Sequence, residues 1–338
     1  MLNPCNRRQL VRAAAGMVLP AGIGCRRART GELTVAFTPR ITAAGLYLAE
    51  EQGFFRQAGL KVRRVTQRRS DYLVPLLVDG KIDVGFVQVT PTLLNAVAAG
   101  ARIRLVAGRD VASRSCGSIG TLYGMRKNFP NGFGDLRVLK GRRVAVSRTT
   151  NLEGFCLDAD LASAGLDMHD IQVVEMDQAQ AVAALVEARI DATVCNFLES
   201  RPEGLSPEIV RGPGMADLFS GMQYNFVAFG PSLLDGDPSP GVAFLTAFYR
   251  GVRAFASGHY STALLDILKN DLGMDPQLAL QSCRSGSVLD GSIDRPSIQR
   301  VMDWAVRKGF CSKPLAISSI VDTRFVDIMN RKSEGERS

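Results

Sequence analysis

Apolar positions along the chain fall into short continuous runs, separated by segments in which they recur at helical spacing. The pattern repeats once. Ala58-Gly59-Leu60-Lys61-Val62 leads to Leu77-Val78-Asp79-Gly80-Lys81-Ile82-Asp83-Val84, and Ala164-Gly165-Leu166-Asp167 leads to Leu185-Val186-Glu187-Ala188-Arg189-Ile190-Asp191-Ala192. Aligned, the two octapeptides read apolar, apolar, acid, small, basic, Ile, Asp, apolar. Each copy predicts a helix, a glycine C-cap, a strand, a second helix, a turn and a strand led by aspartate. The strands at the ends, Val84–Val87 and Ala192–Cys195, are short and apolar throughout, as expected where a parallel sheet is covered by helices on both faces. Two copies are too few for a solenoid. The reading is α/β, with two related lobes, each a mixed, mostly parallel sheet flanked by helices.

A Gly- and Ser-rich stretch between Ser113 and Gly134 separates the copies, and a new start follows at Leu136–Gly141 with a strand predicted over Arg143–Ser147. Tyr224–Phe229 reads as a strand returning to the first lobe. Helical spacing then covers 240–257, 259–272, 275–284, 294–308 and 317–331, with the sole tryptophan, Trp304, as a packing residue. The expected organisation is an export segment over 1–30, lobe I over 31–112 plus 225–338, and lobe II over 113–224. A lobe in two pieces makes two chain crossings, and hence a hinged cleft.

The opening segment has its own pattern. Asn6-Arg7-Arg8-Gln9-Leu10-Val11-Arg12 precedes about 12 uncharged, mostly apolar residues, which is the layout of a secretory signal with a twin-arginine-like basic region. Cys25 is a candidate for lipid anchoring after export. The 338 residues are 46% hydrophobic and 22% charged, as in a folded globular chain. No uncharged apolar run reaches 18 residues, which excludes a multi-span membrane protein. The formal charge of +8 falls to +5 when Arg7, Arg8 and Arg12 are set aside. What remains is scattered arginine, with pairs such as Arg68-Arg69 and Arg142-Arg143 expected to be solvated. No zinc-finger, basic-heptad or RNA-binding motif accompanies it, so no nucleic-acid partner is expected.

The seven cysteines include no Cys-x-x-Cys, and His169 and His259 sit in no ligand-like cluster. No metal, cofactor or catalytic residue is assigned. Cys283 and Cys311 are the pair considered for a disulfide after export, and Cys116, Cys156 and Cys195 read as small buried apolar residues.

Ile41-Thr-Ala-Ala-Gly-Leu-Tyr47-Leu-Ala-Glu-Glu-Gln-Gly53-Phe54-Phe55-Arg-Gln-Ala-Gly59-Leu60-Lys-Val62 resembles the periplasmic solute-binding proteins of ABC importers in the nitrate/sulfonate/taurine group, which also includes binders of thiamine pyrimidine precursors. The likeness continues through 77–84, Leu139–Val146 and Arg189–Val194. It implies a type II two-lobed periplasmic-binding-protein fold that closes on a small solute, acts as a monomer in the periplasm and docks on an inner-membrane permease. A ligand-sensing subunit and a pyrimidine-synthase-like enzyme are the alternatives.

In such a fold solutes meet strand C-termini and helix N-termini. Four junctions have that form: Val35–Thr42; Phe86–Thr92, with Thr90 as N-cap and Pro91 at the first helical position; Val146–Glu153, with Thr150 and Glu153 spaced as a capping box; and Cys195–Glu199. The resemblance points to Thr38, Gln88, Thr90, Thr149, Thr150 and Asn151 as solute contacts. Asn196 joins them at the fourth junction, and Glu199 stands where relatives carry an acid after an aromatic. Arg40, Arg114 and Arg148 flank the junctions and are placed to hold a carboxylate or sulfonate bidentately. The expected solute is therefore a small organic anion, with sulfonates, taurine, nitrate, carboxylates and pyrimidines all open.

Overall fold

The computed structural model describes residues 32–67, 69–114, 119–196, 207–272 and 286–335. The export segment with Cys25, Cys116, Glu199, Cys283 and the helix expected at 275–284 lie outside them. Among the described residues ten strands form two five-stranded sheets. They are β1 (Glu32–Phe37), β2 (Lys61–Thr66), β3 (Val84–Gln88), β4 (Arg104–Val111), β5 (Thr121–Met125), β6 (Arg143–Val146), β7 (Gln172–Glu175), β8 (Ala192–Cys195), β9 (Ile209–Arg211) and β10 (Gln223–Phe229). The first sheet runs β2-β1-β3-β10-β4 and the second β7-β6-β8-β5-β9. In each, the three leading strands are parallel and the fourth is antiparallel to its neighbours. The sequence repeat is thus a repeat of sheet order.

The aspartate that leads each repeat strand explains why. Asp83 Oδ2 accepts the Thr34 amide at 2.9 Å while its own N–H donates to the Thr34 carbonyl at 2.9 Å. Asp191 does the same to Arg143, at 2.9 and 2.8 Å. The isoleucines one residue earlier, Ile82 and Ile190, are buried. The central strands β3 and β8 are buried almost end to end, as their unbroken apolar runs require. The outer strands β2 and β7 instead carry Lys61, Arg63, Arg64, Gln172 and Glu175, and charged edges resist pairing with another chain.

Two chain segments cross between the sheets, from β4 to β5 and from β9 to β10. They are bonded to one another: the Ala112 amide donates to the Met222 carbonyl, and the Gly221 amide to the Ala112 carbonyl, both at 2.8 Å. The C-terminal helix Arg295–Arg307 also reaches both sheets. The Asn95 side chain, on the helix Pro91–Ala98 of the first lobe, donates to the Phe310 carbonyl at 2.9 Å. On the second lobe Trp304 packs edge-on against Phe155 at 5.4 Å, and Lys308 pairs with Asp158.

The long helix Ser239–Ala256 crosses the helix Ala44–Glu51 at Gly251 and Gly45. A Cβ on Gly251 would lie 2.0 Å from the Gly45 carbonyl oxygen, so the crossing demands its small side. Elsewhere the structure moves several expected boundaries. β5 falls inside the stretch read as a loop, because the glycines and serines before it conceal the buried run Thr121–Met125. The helix expected over 317–331 is a 3-10 turn, Ile317–Ser319, and a helix, Arg324–Gly335, since Val321 is drawn off to bridge Leu105. The helix Leu152–Ser163 is capped by Asn151, not by Thr150, and no capping box forms. Cys156, Cys195 and Cys311 are buried free thiols.

The turn inside the repeat is left-handed in both copies, with φ of 65° at Gly80 and 60° at Ala188, the only non-glycine residue with positive φ among those described. A Cβ at Gly80 would meet nothing within 4 Å, so backbone conformation alone separates glycine from alanine there. Left-handed backbone costs an L-residue about 1–2 kcal/mol. Ala188→Gly is therefore expected to raise unfolding stability by about 1 kcal/mol in urea melts, and Gly80→Ala to lower it by a similar amount.

Candidate functional site

A cavity of about 370 Å³ opens between the two sheets. Parallel strands make it, because their C-terminal ends all face the same way. The segments after β1, β2 and β3 bring Thr38, Arg40, Thr42, Arg69, Asp71, Gln88 and Thr90; those after β6, β7 and β8 bring Ser147, Asn151, Glu153, Asp177, Gln178 and Asn196. Phe86, Arg109, Tyr224 and Asn225 close the wall from within the first sheet and Ile119 and Leu152 from the second lobe.

On the second lobe one side chain ties four segments together. Asn196, just past β8, accepts from the Gly120 amide at 2.7 Å and donates to Glu153 Oε1 at 2.7 Å. Its backbone exchanges hydrogen bonds with the Gln178 side chain, at 3.2 and 2.7 Å. Asn151 accepts from the Glu153 and Gly154 amides and donates to Ser147 Oγ at 2.7 Å. These bonds fix the start of the helix Leu152–Ser163, whose positive end carries Glu153. Glu153 is 8% exposed, and burial pushes its carboxyl above the usual carboxylate range, with Arg40, Ser147 and Arg69 drawing it back down.

On the first lobe Arg109 is 6% exposed. Its guanidinium lies 4.3 Å from the Phe86 ring centroid, donates to the Thr42 carbonyl at 2.9 Å and pairs with buried Asp110 at 3.1 Å. Asn225 donates to that same carboxylate at 2.9 Å. Arg109 Nε is buried without a partner, and so is Thr38 Oγ1. Arg69 is held by both oxygens of Asp71 and stands over Tyr72, 5.1 Å from its centroid. Thr90 caps the helix Pro91–Ala98 through the Leu93 amide, with Pro91 at the first helical position.

Residues 40–254, more than half of the chain, match the family model described as NMT1/THI5 like. The chain belongs to the NMT1/THI5-like family. No curated protein matches it at a significant level. Its fold is that of the periplasmic sulfonate-binding proteins among solved structures. The aliphatic sulphonate-binding protein SsuA of Escherichia coli is 17% identical with a TM-score of 0.69, over 87% of this chain and 93% of that one. The alkanesulfonate-binding SsuA of Xanthomonas axonopodis pv. citri, bound to MOPS, is 18% identical with a TM-score of 0.68, over 88% and 99%. A Candida albicans protein with the generic periplasmic binding protein fold is 15% identical with a TM-score of 0.64, over 86% and 96%.

In this member of the family, Thr38, Arg40, Gln88, Thr90, Asn151 and Asn196 all line the cavity, as strand-end reasoning places them. Four other candidates do not. Arg148 is turned onto Glu175 at 2.9 Å, and the Thr149 amide and hydroxyl donate to the same carboxylate at 2.7 and 2.8 Å. Thr150 stands one residue before the helix cap and off the wall, and Arg114 is exposed away from it. Glu199 lies outside the described residues. Arg69, expected to be solvated, is instead engaged on the cavity wall, whereas Arg143 stays 42% exposed while gripping Asp191 through Nε and Nη2 at 3.2 Å each. The residues that strand-end reasoning missed are Arg69, Asp71, Asp177 and Gln178, after the two edge strands, and Arg109, Tyr224 and Asn225, within antiparallel ones.

A carboxyl raised by burial holds a proton in the folded state that the unfolded chain has already released. Stability therefore falls as pH climbs through that window. Glu153→Gln is expected to melt higher than the parent at pH 7. The advantage should shrink on acidification and vanish below about pH 4, where the carboxyl is protonated in both states. Paired thermal melts from pH 4 to 8 check it.

Proposed function

We propose that the chain is the extracytoplasmic substrate-binding component of an ABC importer, which captures a small solute bearing an anionic group in the inter-lobe cavity and delivers it to a membrane permease. The observation that carries this reading is the cavity itself: six strand ends from two related sheets converge on it, lined by Thr38, Arg40, Gln88, Thr90, Asn151 and Asn196. Family membership and the sulfonate-binding proteins of like fold agree with it. Export by the segment 1–30, a periplasmic location and the permease partner belong to the same proposal.

Binding, not catalysis, fits the wall chemistry. Among the described residues, neither histidine lies on the cavity. The Cys156 and Cys195 thiols are pushed well up by burial, away from the thiolate that a nucleophile needs. Desolvated arginines can each add about 1.5–3 kcal/mol to the hold on an anion. Micromolar affinity, about −8 kcal/mol, then needs two such contacts and some apolar burial, which Phe86, Ile119, Leu152 and Tyr224 supply.

A thermal-shift and calorimetric screen of sulfonates, carboxylates and pyrimidines tests the reading. A true solute at 100 times its dissociation constant adds about 2.7 kcal/mol of stability, or about 4 °C in melting temperature for a chain of this size. X-ray scattering with that solute should show a more compact particle. Arg69→Ala is expected to weaken binding at least tenfold while the unliganded melting temperature moves by less than about 2 °C, because Arg69 is only partly buried. No hit across the panel and no compaction would reject the proposal.

A further inference from the structure

A carboxyl is an unfavourable group to build into the wall of an anion site, yet Glu153 stands there. It lines the cavity, is 8% exposed, and sits in the first turn of the helix Leu152–Ser163. Its surroundings are fixed by hydrogen bonds. The Asn196 side-chain oxygen is taken by the Gly120 amide, and its Nδ2 donates to Glu153 Oε1 at 2.7 Å. Ser147, which accepts from Asn151, is the other side chain at the carboxyl. The cations that answer the Glu153 charge, Arg40 and Arg69, come from the first lobe, across the space a solute enters. Resting on the solute-binding reading, we propose that the site binds its anion together with a proton. Glu153 takes that proton from solvent as the anionic group settles against Arg40 and Arg69, and the complex holds it as a neutral carboxylic acid.

Two effects of the incoming charge act in the same direction. An anion at the arginines shares the cations that hold the Glu153 carboxylate, and it adds a like charge in the same enclosed space. Each favours the protonated form. Burial already pushes this carboxyl up, with Arg40, Ser147 and Arg69 drawing it back, so the solute weakens the pull that keeps the charge in place. The proton belongs on Oε2, because Oε1 is the acceptor for Asn196. The neighbouring titratable groups are differently placed. Cys156 on the same helix and Cys195 on β8 are thiols pushed well up by burial. Asp71 is paired with Arg69, and Asp177 is exposed at the start of the helix Gln178–Val186. Asp110, also raised by burial, is tied to Arg109 and Asn225. Asp160, pushed up to about 8, is buried further along the Glu153 helix and off the cavity. A carboxyl that holds its proton more tightly in the complex gives binding that is strongest at low pH. That gain is lost as pH rises through the bound-state value, by at most about tenfold per pH unit for one proton.

The test is calorimetry on the full chain from about pH 6 to 9, in buffers of different ionisation enthalpy, with the tightest-binding alkanesulfonate or alkanecarboxylate as probe. Neither head group titrates in that range, so any proton taken up belongs to the protein. The parent is expected to take up as much as one proton per bound anion, and its affinity to fall by at least about threefold across the range. Glu153→Gln should bind without proton uptake and with affinity that is flat in pH, while Asp160→Asn keeps the parent's uptake. Infrared difference spectra should show a protonated-carboxyl band on binding in the parent and not in Glu153→Gln. Binding by the parent with no proton uptake anywhere in the range overturns the inference and leaves the importer reading standing. Uptake that persists in Glu153→Gln also overturns it, as does loss of binding by that variant, which carries the neutral side chain the complex calls for. Binding of neutral compounds alone, or of nothing in the panel, rejects the anionic reading and the inference with it.

Discussion

Everything in the site hangs from one hydrogen-bonded corner, made twice. The carboxylates of Asp83 and Asp191 take the Thr34 and Arg143 amides of the neighbouring parallel strands, and their own amides return the bond. Parallel pairing alone leaves register weakly specified, and a slip of one residue would turn every side chain to the opposite face. A charge-assisted bond to a single amide removes that freedom. It sets β3 against β1 at Val84 and Val35, and β8 against β6 at Ala192 and Val144. With the strand starts fixed, their far ends emerge level with one another, and Thr38, Gln88, Ser147 and Asn196 meet at one cavity. The corner lies at the opposite end of the strands from the site it positions.

The same geometry explains why burial and charge are in tension at the cavity. Strand ends bring helix starts with them, and helix starts are positive. On the first lobe the short 3-10 turn at Ile41–Ala43 leaves the work of charge to arginines, one of them buried against Asp110 and the Phe86 ring. On the second lobe the longer helices place acids on their own positive ends, which offsets part of the cost of burying Glu153. The cleft therefore pairs its charge closely, Arg69 with Asp71 and Arg109 with Asp110, which a composition of +8 does not suggest.

How much of this could be read in the sequence follows from which interactions are local. Repeat spacing, apolar runs and cap chemistry are local, so the two sheets, β3, β8, the return of β10 and the Thr90 cap were all legible. Six cavity residues lie at the strand-end junctions, four of them singled out there by the family resemblance. Applied to the edge strands as well, strand-end reasoning would have reached Arg69, Asp71, Asp177 and Gln178, which occupy equivalent places after β2 and β7. Their polar faces hid those strands. Arg148 went the other way for a reason no local pattern holds: pairing of Val146 with Glu175 brings an acid from 27 residues downstream beside it. Arg109, Tyr224 and Asn225 sit within antiparallel strands, where the strand-end rule has nothing to say.

Two buried polar atoms on the first wall of the cleft lack partners, as do both oxygens of Asp160 in the second lobe. A buried polar group without a partner costs about 1–3 kcal/mol, and Arg109 Nε and Thr38 Oγ1 are two such groups on one wall. The elements around them leave no room to relax that cost: Arg109 is held by Thr42, Asp110 and Phe86, and Asp110 in turn by Asn225. The opposite wall is tied to it by the paired crossings at Ala112 and Met222 and by the helix Arg295–Arg307, which holds Trp304 against Phe155. The cost is therefore one the fold itself carries, on a wall whose arginine is fixed on three sides by Thr42, Asp110 and the Phe86 ring.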